Sequence, residues 1–189
     1  MKKSIILLTF CLMAFCCPIQ AQQHMKFMGI PLTGTITQFQ NKLQAKGMKY
    51  DKTTSQIFPA GVRAFSGNFA GEKASVYVYY DPSTKIVYRA KAVVGYYSEA
   101  LCEQKYDEMK SMLSTKYSDA YETSDYREGH EVYHYVTYEL KNDEVKIYGT
   151  IDLYVTDAEL WDDYKQYLHI DYSDYKNSLS NDDSKMNDL

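Results

Sequence analysis

The stretch Val145-Lys146-Ile147-Tyr148-Gly149-Thr150-Ile151-Asp152-Leu153-Tyr154-Val155 alternates with a period of two over its whole length. Successive side chains of a β-strand point to opposite faces. Val145, Ile147, Gly149, Ile151, Leu153 and Val155 therefore share one side, and Lys146, Tyr148, Thr150, Asp152 and Tyr154 share the other. A largely apolar row backed by tyrosine, threonine and charge predicts an antiparallel sheet packed on one side and wet on the other. Helices must cover the apolar side.

The rest of the chain supplies both the helices and more strands. Thr35 and Gln38 have the spacing of a capping box, Ile36, Phe39 and Leu43 form an apolar helical face, and Gly47 ends the helix after Lys46, with Met48 folding back. A polar stretch runs on to about Gly61. Strands are then expected over Ala64 to Ala70, Ser75 to Asp81 and Ile86 to Val94, broken by Gly71 and by the turn Asp81-Pro82-Ser83-Thr84. A second helix is read from Glu99 to Tyr117. It is followed by a strand from Glu131 to Leu140, the turn Lys141 to Glu144 and the opening strand. Thr156 and Glu159 would cap a short helix holding Leu160, Trp161 and Tyr164, and Leu168, Ile170 and Tyr172 suggest a last strand. The expected architecture is α+β: two similar helix-plus-antiparallel-sheet units, 22–96 and 97–176, with a frayed polar tail at 177–189.

The beginning of the chain reads as an export signal. Lys2 and Lys3 precede an apolar run from Ile5 to Cys17, and Ile19-Gln20-Ala21 offers a small residue for cleavage. The run is shorter than the roughly 20 residues needed to span a bilayer, so no integral membrane span is expected. Cys11 and Cys16 follow Phe10 and Phe15 rather than small residues, which disfavours a lipid anchor. The expected location is periplasmic or extracellular. Removing 1–21 leaves Cys102 alone, and it lies on one helical stripe with Tyr106, Met109, Leu113 and Tyr117, the setting of a buried, inert thiol.

Composition restricts function. The 189 residues are 45% hydrophobic and 24% charged, with a net charge of −4 that becomes more negative once Lys2 and Lys3 are removed. An acidic chain without basic clusters is not expected to bind nucleic acid. No G-x-S-x-G elbow, P-loop or dinucleotide fingerprint is present, and Asp162-Asp163 and Asp182-Asp183 read as solvated pairs. No cofactor and no catalytic residue is assigned.

One catalytic pattern needs weighing. His130-Glu131-Val132-Tyr133-His134 matches the H-E-x-x-H of zinc peptidases, whose three side chains converge only on a helix. Here the surrounding Val132, Tyr133, Tyr135, Val136, Thr137 and Tyr138 are strand formers. On a strand the two histidines would stand about 13 Å apart, too far for bonds of about 2.1 Å to one zinc. A strand histidine is the reading, and a metal-dependent peptidase the alternative.

What is unusual is tyrosine: 20 residues against 7 phenylalanines, of which Phe10 and Phe15 lie in the leader. Tyrosine keeps an aromatic body and adds a hydroxyl, which suits a half-wet surface that binds partners. Strand parity places Tyr77, Tyr79, Tyr133, Tyr135, Tyr148 and Tyr154 on outer faces, the candidate binding set.

The segment Phe65-Ser66-Gly67-Asn68-Phe69-Ala70-Gly71, the two hairpins and the closing run Ile170-Asp171-Tyr172-Ser173-Asp174 resemble, in order and texture, the β-lactamase-inhibitor-protein-like fold. Small bacterial envelope proteins with helices on one side of an antiparallel sheet are similar. The inhibitor family's disulfides have no counterpart beside a single Cys102, so no functional residue is carried over. The expected function is a non-enzymatic module binding a protein, peptide or glycan of the cell envelope or outside, with a structural envelope component as a further alternative.

Overall fold

The computed structural model describes residues 23–124, 132–143, 146–158 and 163–179. The leader, His130 and Glu131, Glu144 and Val145, Glu159 to Asp162, and the tail from Ser180 lie outside the described residues. So do the side chains of Val132 and Tyr133.

The chain opens with a small antiparallel pair, β1 (Lys26–Phe27) and β2 (Ile30–Pro31), followed by α1 (Ile36–Ala45). Thr35 caps α1 as the sequence predicts: its amide donates to Gln38 Oε1 at 3.0 Å, and the Gln38 amide donates back to Thr35 Oγ1. At the other end Gly47 takes φ +89°, its amide donates to the Gln44 carbonyl, and the Met48 amide donates to the Leu43 carbonyl. Met48 is thereby turned into the core.

The polar stretch after Met48 holds two short elements that the sequence reading did not separate, β3 (Lys49–Asp51) and α2 (Lys52–Ile57). Asp51 caps α2, accepting from the Thr54 amide at 2.9 Å and the Thr54 hydroxyl at 2.7 Å. With no buried residue, α2 has no apolar period to betray it. Then come β4 (Val62–Phe69), β5 (Glu72–Tyr80), β6 (Val87–Tyr96), α3 (Glu99–Lys116), β7 (Tyr121–Ser124), β8 (Val132–Lys141), β9 (Ile147–Asp157) and β10 (Gln166–Asp174).

The fold is α+β. Strands β3 to β10 form one antiparallel sheet in the order β3-β4-β5-β6-β10-β9-β8-β7. Both halves of the chain run outward from the central β6–β10 pair, which registers Val94 with Leu168 and Ala90 with Tyr172. Val76, Val78, Ala92, Ile151, Leu153 and Ile170 make the inner face, fully removed from water. Against them pack Phe39 and Leu43 of α1 and the α3 stripe Cys102, Tyr106, Met109 and Leu113. Burial in this apolar setting pushes the Cys102 thiol up to about 11, so it stays protonated and unreactive.

The N-terminal strap closes one end of the core. Phe27 stacks on Phe69 at 5.2 Å and meets Tyr172 edge-on at 5.4 Å. Asp174, fully buried, accepts from the Met25 amide and sits against His24 Nδ1, both at 2.9 Å. Gly149 lets the strap cross the sheet, because a Cβ there would fall 1.9 Å from Met25 Cγ.

One local expectation changes. Thr156 caps no helix; it continues β9, and its hydroxyl bonds His169 Nε2 at 2.8 Å. Among the described residues no helix is long and apolar enough to cross a membrane.

Candidate functional site

The helices cover one face of the sheet, so function is sought on the other. Alternation assigns that outer face: Tyr77 and Tyr79 of β5, Arg89, Lys91, Val93 and Gly95 of β6, Tyr167, His169 and Asp171 of β10, and Asp152 and Tyr154 of β9. One rung crosses five strands in register: Tyr77, Lys91, Asp171, Asp152 and Thr137. It carries more charge than a sheet face usually buries, and the charges are organised.

Asp171 is 2% exposed although it belongs to the outer row. Arg89 makes this tolerable: Nε donates to Oδ1 at 2.8 Å and to Oδ2 at 3.0 Å, and Nη2 also donates to Oδ2. The Tyr79 ring lies over the guanidinium, 4.7 Å from centroid to Cζ. Asp152, next along the rung, accepts from the Thr137 hydroxyl at 2.7 Å and the Tyr135 hydroxyl at 3.1 Å. Burial pushes its carboxyl up, against the pull of these two hydrogen bonds. Burial likewise pushes the Lys91 ammonium down.

His169 lies beside the rung. Burial first, and the Lys91 charge second, push the imidazole down to about 3, so it is neutral at ordinary pH. Its ring is sandwiched nearly parallel to Tyr154, 4.5 Å apart and 6° between planes, and Tyr154 in turn leans on Tyr135 at 5.9 Å.

A cleft of about 780 Å³ opens over this face between β4, β5, β6 and β10. Tyr77, Lys91, Val93 and His169 form its floor, with Phe58, Tyr164 and Tyr167 as aromatic walls. Gly95 admits one wall, because a Cβ there would fall 2.6 Å from the Tyr164 ring. Phe58 meets Tyr77 edge-on at 5.3 Å, and Tyr164 meets Tyr167 at 5.7 Å. Chemically the cleft offers ring faces, hydroxyl and amide donors, and ammonium groups. No carboxylate lines it among the described residues.

The six tyrosines expected on the outer face divide. Tyr77 and Tyr79 line the cleft, while Tyr135 and Tyr154 share the face and support it through Asp152 and His169. Tyr148 is a correction. Leu140 registers with Gly149 but Lys141 with Ile147, so Tyr148 is the extra residue of a bulge, and its ring packs on the core beside Tyr117 and Ala120. The side chain of Tyr133 lies outside the described residues.

The H-E-x-x-H segment is described only from Val132 onward, where it is β-strand. His134 sits in a second bulge, at φ +50°, where three steps along β8 match two along β9. Its ring packs against Tyr106 of α3 at 5.2 Å, and its Nε2 is 3.8 Å from Glu103 Oε1. Among the described residues no three His, Cys, Asp or Glu side chains are grouped to hold a metal.

Lys91, Arg89 and Phe58 were not singled out in the sequence; Tyr164 and Asp171 were read there only as parts of a short helix and of the closing run, and His169 only as a conceivable third metal ligand that falls in no recognisable motif. A partial signal existed, since Leu168-His169-Ile170-Asp171-Tyr172 alternates as cleanly as the opening strand. The chain matches no protein-family model, no curated protein and no solved structure.

Proposed function

We propose that the chain is an exported, non-enzymatic binding module that holds a protein, peptide or glycan of the cell envelope or beyond on its uncovered sheet face. Export rests on the leader read at 1–21. The observation that carries the binding reading is the cleft of about 780 Å³ on the helix-free face, floored and walled by aromatic rings. That volume lies within the roughly 300–1,000 Å³ of small-ligand sites, and rings with few rotatable bonds lose little entropy when they make contact. The reading of 22–96 and 97–176 as similar units draws support from the strand order, in which each half ends on one of the two central strands.

The test compares two variants on a panel of immobilised oligosaccharides and peptides. Tyr77→Ser with Tyr167→Ser removes rings from the cleft, and Leu101→Ser with Met112→Ser alters exposed residues of α3. With circular dichroism unchanged in both, retention should fall in the first and persist in the second; the reverse pattern contradicts the reading.

A further inference from the structure

The cleft has a charge character at odds with the chain that forms it. The whole chain carries a net charge of −4, yet Lys49, Lys73 and Lys91 line the cleft and no described carboxylate does. None of the three makes an ion pair with a described carboxylate. Asp171, the register partner of Lys91 on β10, is bonded through both carboxylate oxygens by Arg89. Asp171 is buried and does not line the cleft, whereas the Lys91 side chain does. Point charges on flexible stems, rather than a guanidinium fork, are what the cleft presents.

Two further features bear on the ligand class. The floor belongs to β5, β6 and β10, each paired on both sides, so its backbone groups are already bonded. A peptide laid there finds no ladder to join, and its own amides would lose water without replacement. The ligand must be met mainly by side chains, and besides the lysines and His169 these are hydroxyls and an amide: Ser66, Asn68, Ser75, Tyr77 and Tyr79. Such groups suit a hydroxyl-rich molecule, and the electron-rich faces of Tyr77 and Tyr167 suit the polarised C–H face of a sugar ring.

We propose that the cleft binds an acidic oligosaccharide, its carboxylates held by Lys91 and Lys73 and its ring faces laid on Tyr77 and Tyr167. This rests on the reading of the outer face as the binding surface and adds the ligand's chemistry to it. Burial has already stripped much of the water from Lys91, so its attraction for an anion is less screened than that of a surface lysine.

The test is calorimetric titration of the full chain with trigalacturonate, with its methyl ester, and with triglutamate. Trigalacturonate should bind about tenfold more tightly than either of the others, weakening as salt is raised. Lys91→Met and Lys73→Met should each weaken it about tenfold, and Lys91→Arg should restore most of the loss. Both Met variants keep an apolar stem and should unfold at the wild-type temperature or above. Equal affinity for the methyl ester shows that charge is not read and overturns the proposal; so does equal affinity for triglutamate, or no binding of trigalacturonate. None of those results touches the outer-face reading, which fails only if ligand retention survives Tyr77→Ser with Tyr167→Ser and falls with Leu101→Ser and Met112→Ser.

Discussion

Arg89 and Asp171, 82 residues apart in sequence, meet across β6 and β10 at the centre of the outer face, with Nε 2.8 Å from Oδ1. The carboxylate is almost fully shielded while more than a third of the arginine side chain stays exposed. Their relation is therefore asymmetric. Removing the arginine strands a buried anion, whereas removing both charges leaves two side chains of fair packing volume.

Arg89→Met should accordingly destabilise the chain by roughly 1–3 kcal/mol, with the exposed end of the guanidinium holding the cost at the low side of buried pairs. Arg89→Met combined with Asp171→Leu should recover much of that loss. Urea unfolding of the two single variants and the double variant gives the coupling; strict additivity would contradict a direct pair.

Acidification should act through His169. Its folded-state value of about 3 lies below the unfolded value of about 6.5, so between these limits the unfolded chain binds more protons. The contribution of His169 to stability is whole above about pH 6.5 and is lost as pH falls toward 3. Asp152, raised by burial, acts in the opposite sense, its contribution fading as pH rises through its folded value. The unfolding temperature of wild type should thus fall faster than that of His169→Gln between pH 6.5 and 4. Parallel curves would show that the imidazole is not held neutral.

The crossing of the N-terminal strap over β9 depends on the absence of one methyl group. At Gly149 a Cβ would meet Met25 Cγ at 1.9 Å and the Ser173 carbonyl oxygen at 2.6 Å. Gly149→Ala should cost about 1–3 kcal/mol in thermal unfolding. Adding Met25→Ala should relieve only part of this, because the Ser173 backbone cannot give way as a side chain does.

Tyrosines on the two sides of the sheet should part company. Tyr148→Ser, on the core side, should lower the unfolding temperature and leave ligand retention intact. Tyr77→Ser, in the cleft, should weaken retention with a smaller thermal effect. If Tyr148→Ser weakens retention as much as Tyr77→Ser at equal stability, the assignment of faces is wrong.

The contrast between these residues also shows how far the chain could be read unaided. The period of two placed Ile151 and Leu153 inward and Asp152 and Tyr154 outward, because regular pairing preserves parity. It misplaced Tyr148, since a bulge adds one residue and no local residue type announces it. The ends of α1 were legible in Thr35, Gln38 and Gly47, whose roles depend only on near neighbours. The four-residue β7 carries too short a pattern to register against noise, and α2 has no buried residue at all. The cleft's charge was the least accessible part. Lys91 lines the cleft while Arg89 holds the buried Asp171 beside it, and that arrangement exists only once β6 and β10 are side by side.

Chemical-shift mapping of the ¹⁵N-labelled chain with the best-retained oligosaccharide or peptide bears most directly on the proposed binding face. The amides of Lys91, Val93 and His169 should move on titration while those of Leu101, Lys105 and Met112 along α3 stay in place. Movement confined to α3, with the floor of the cleft silent, would contradict the account.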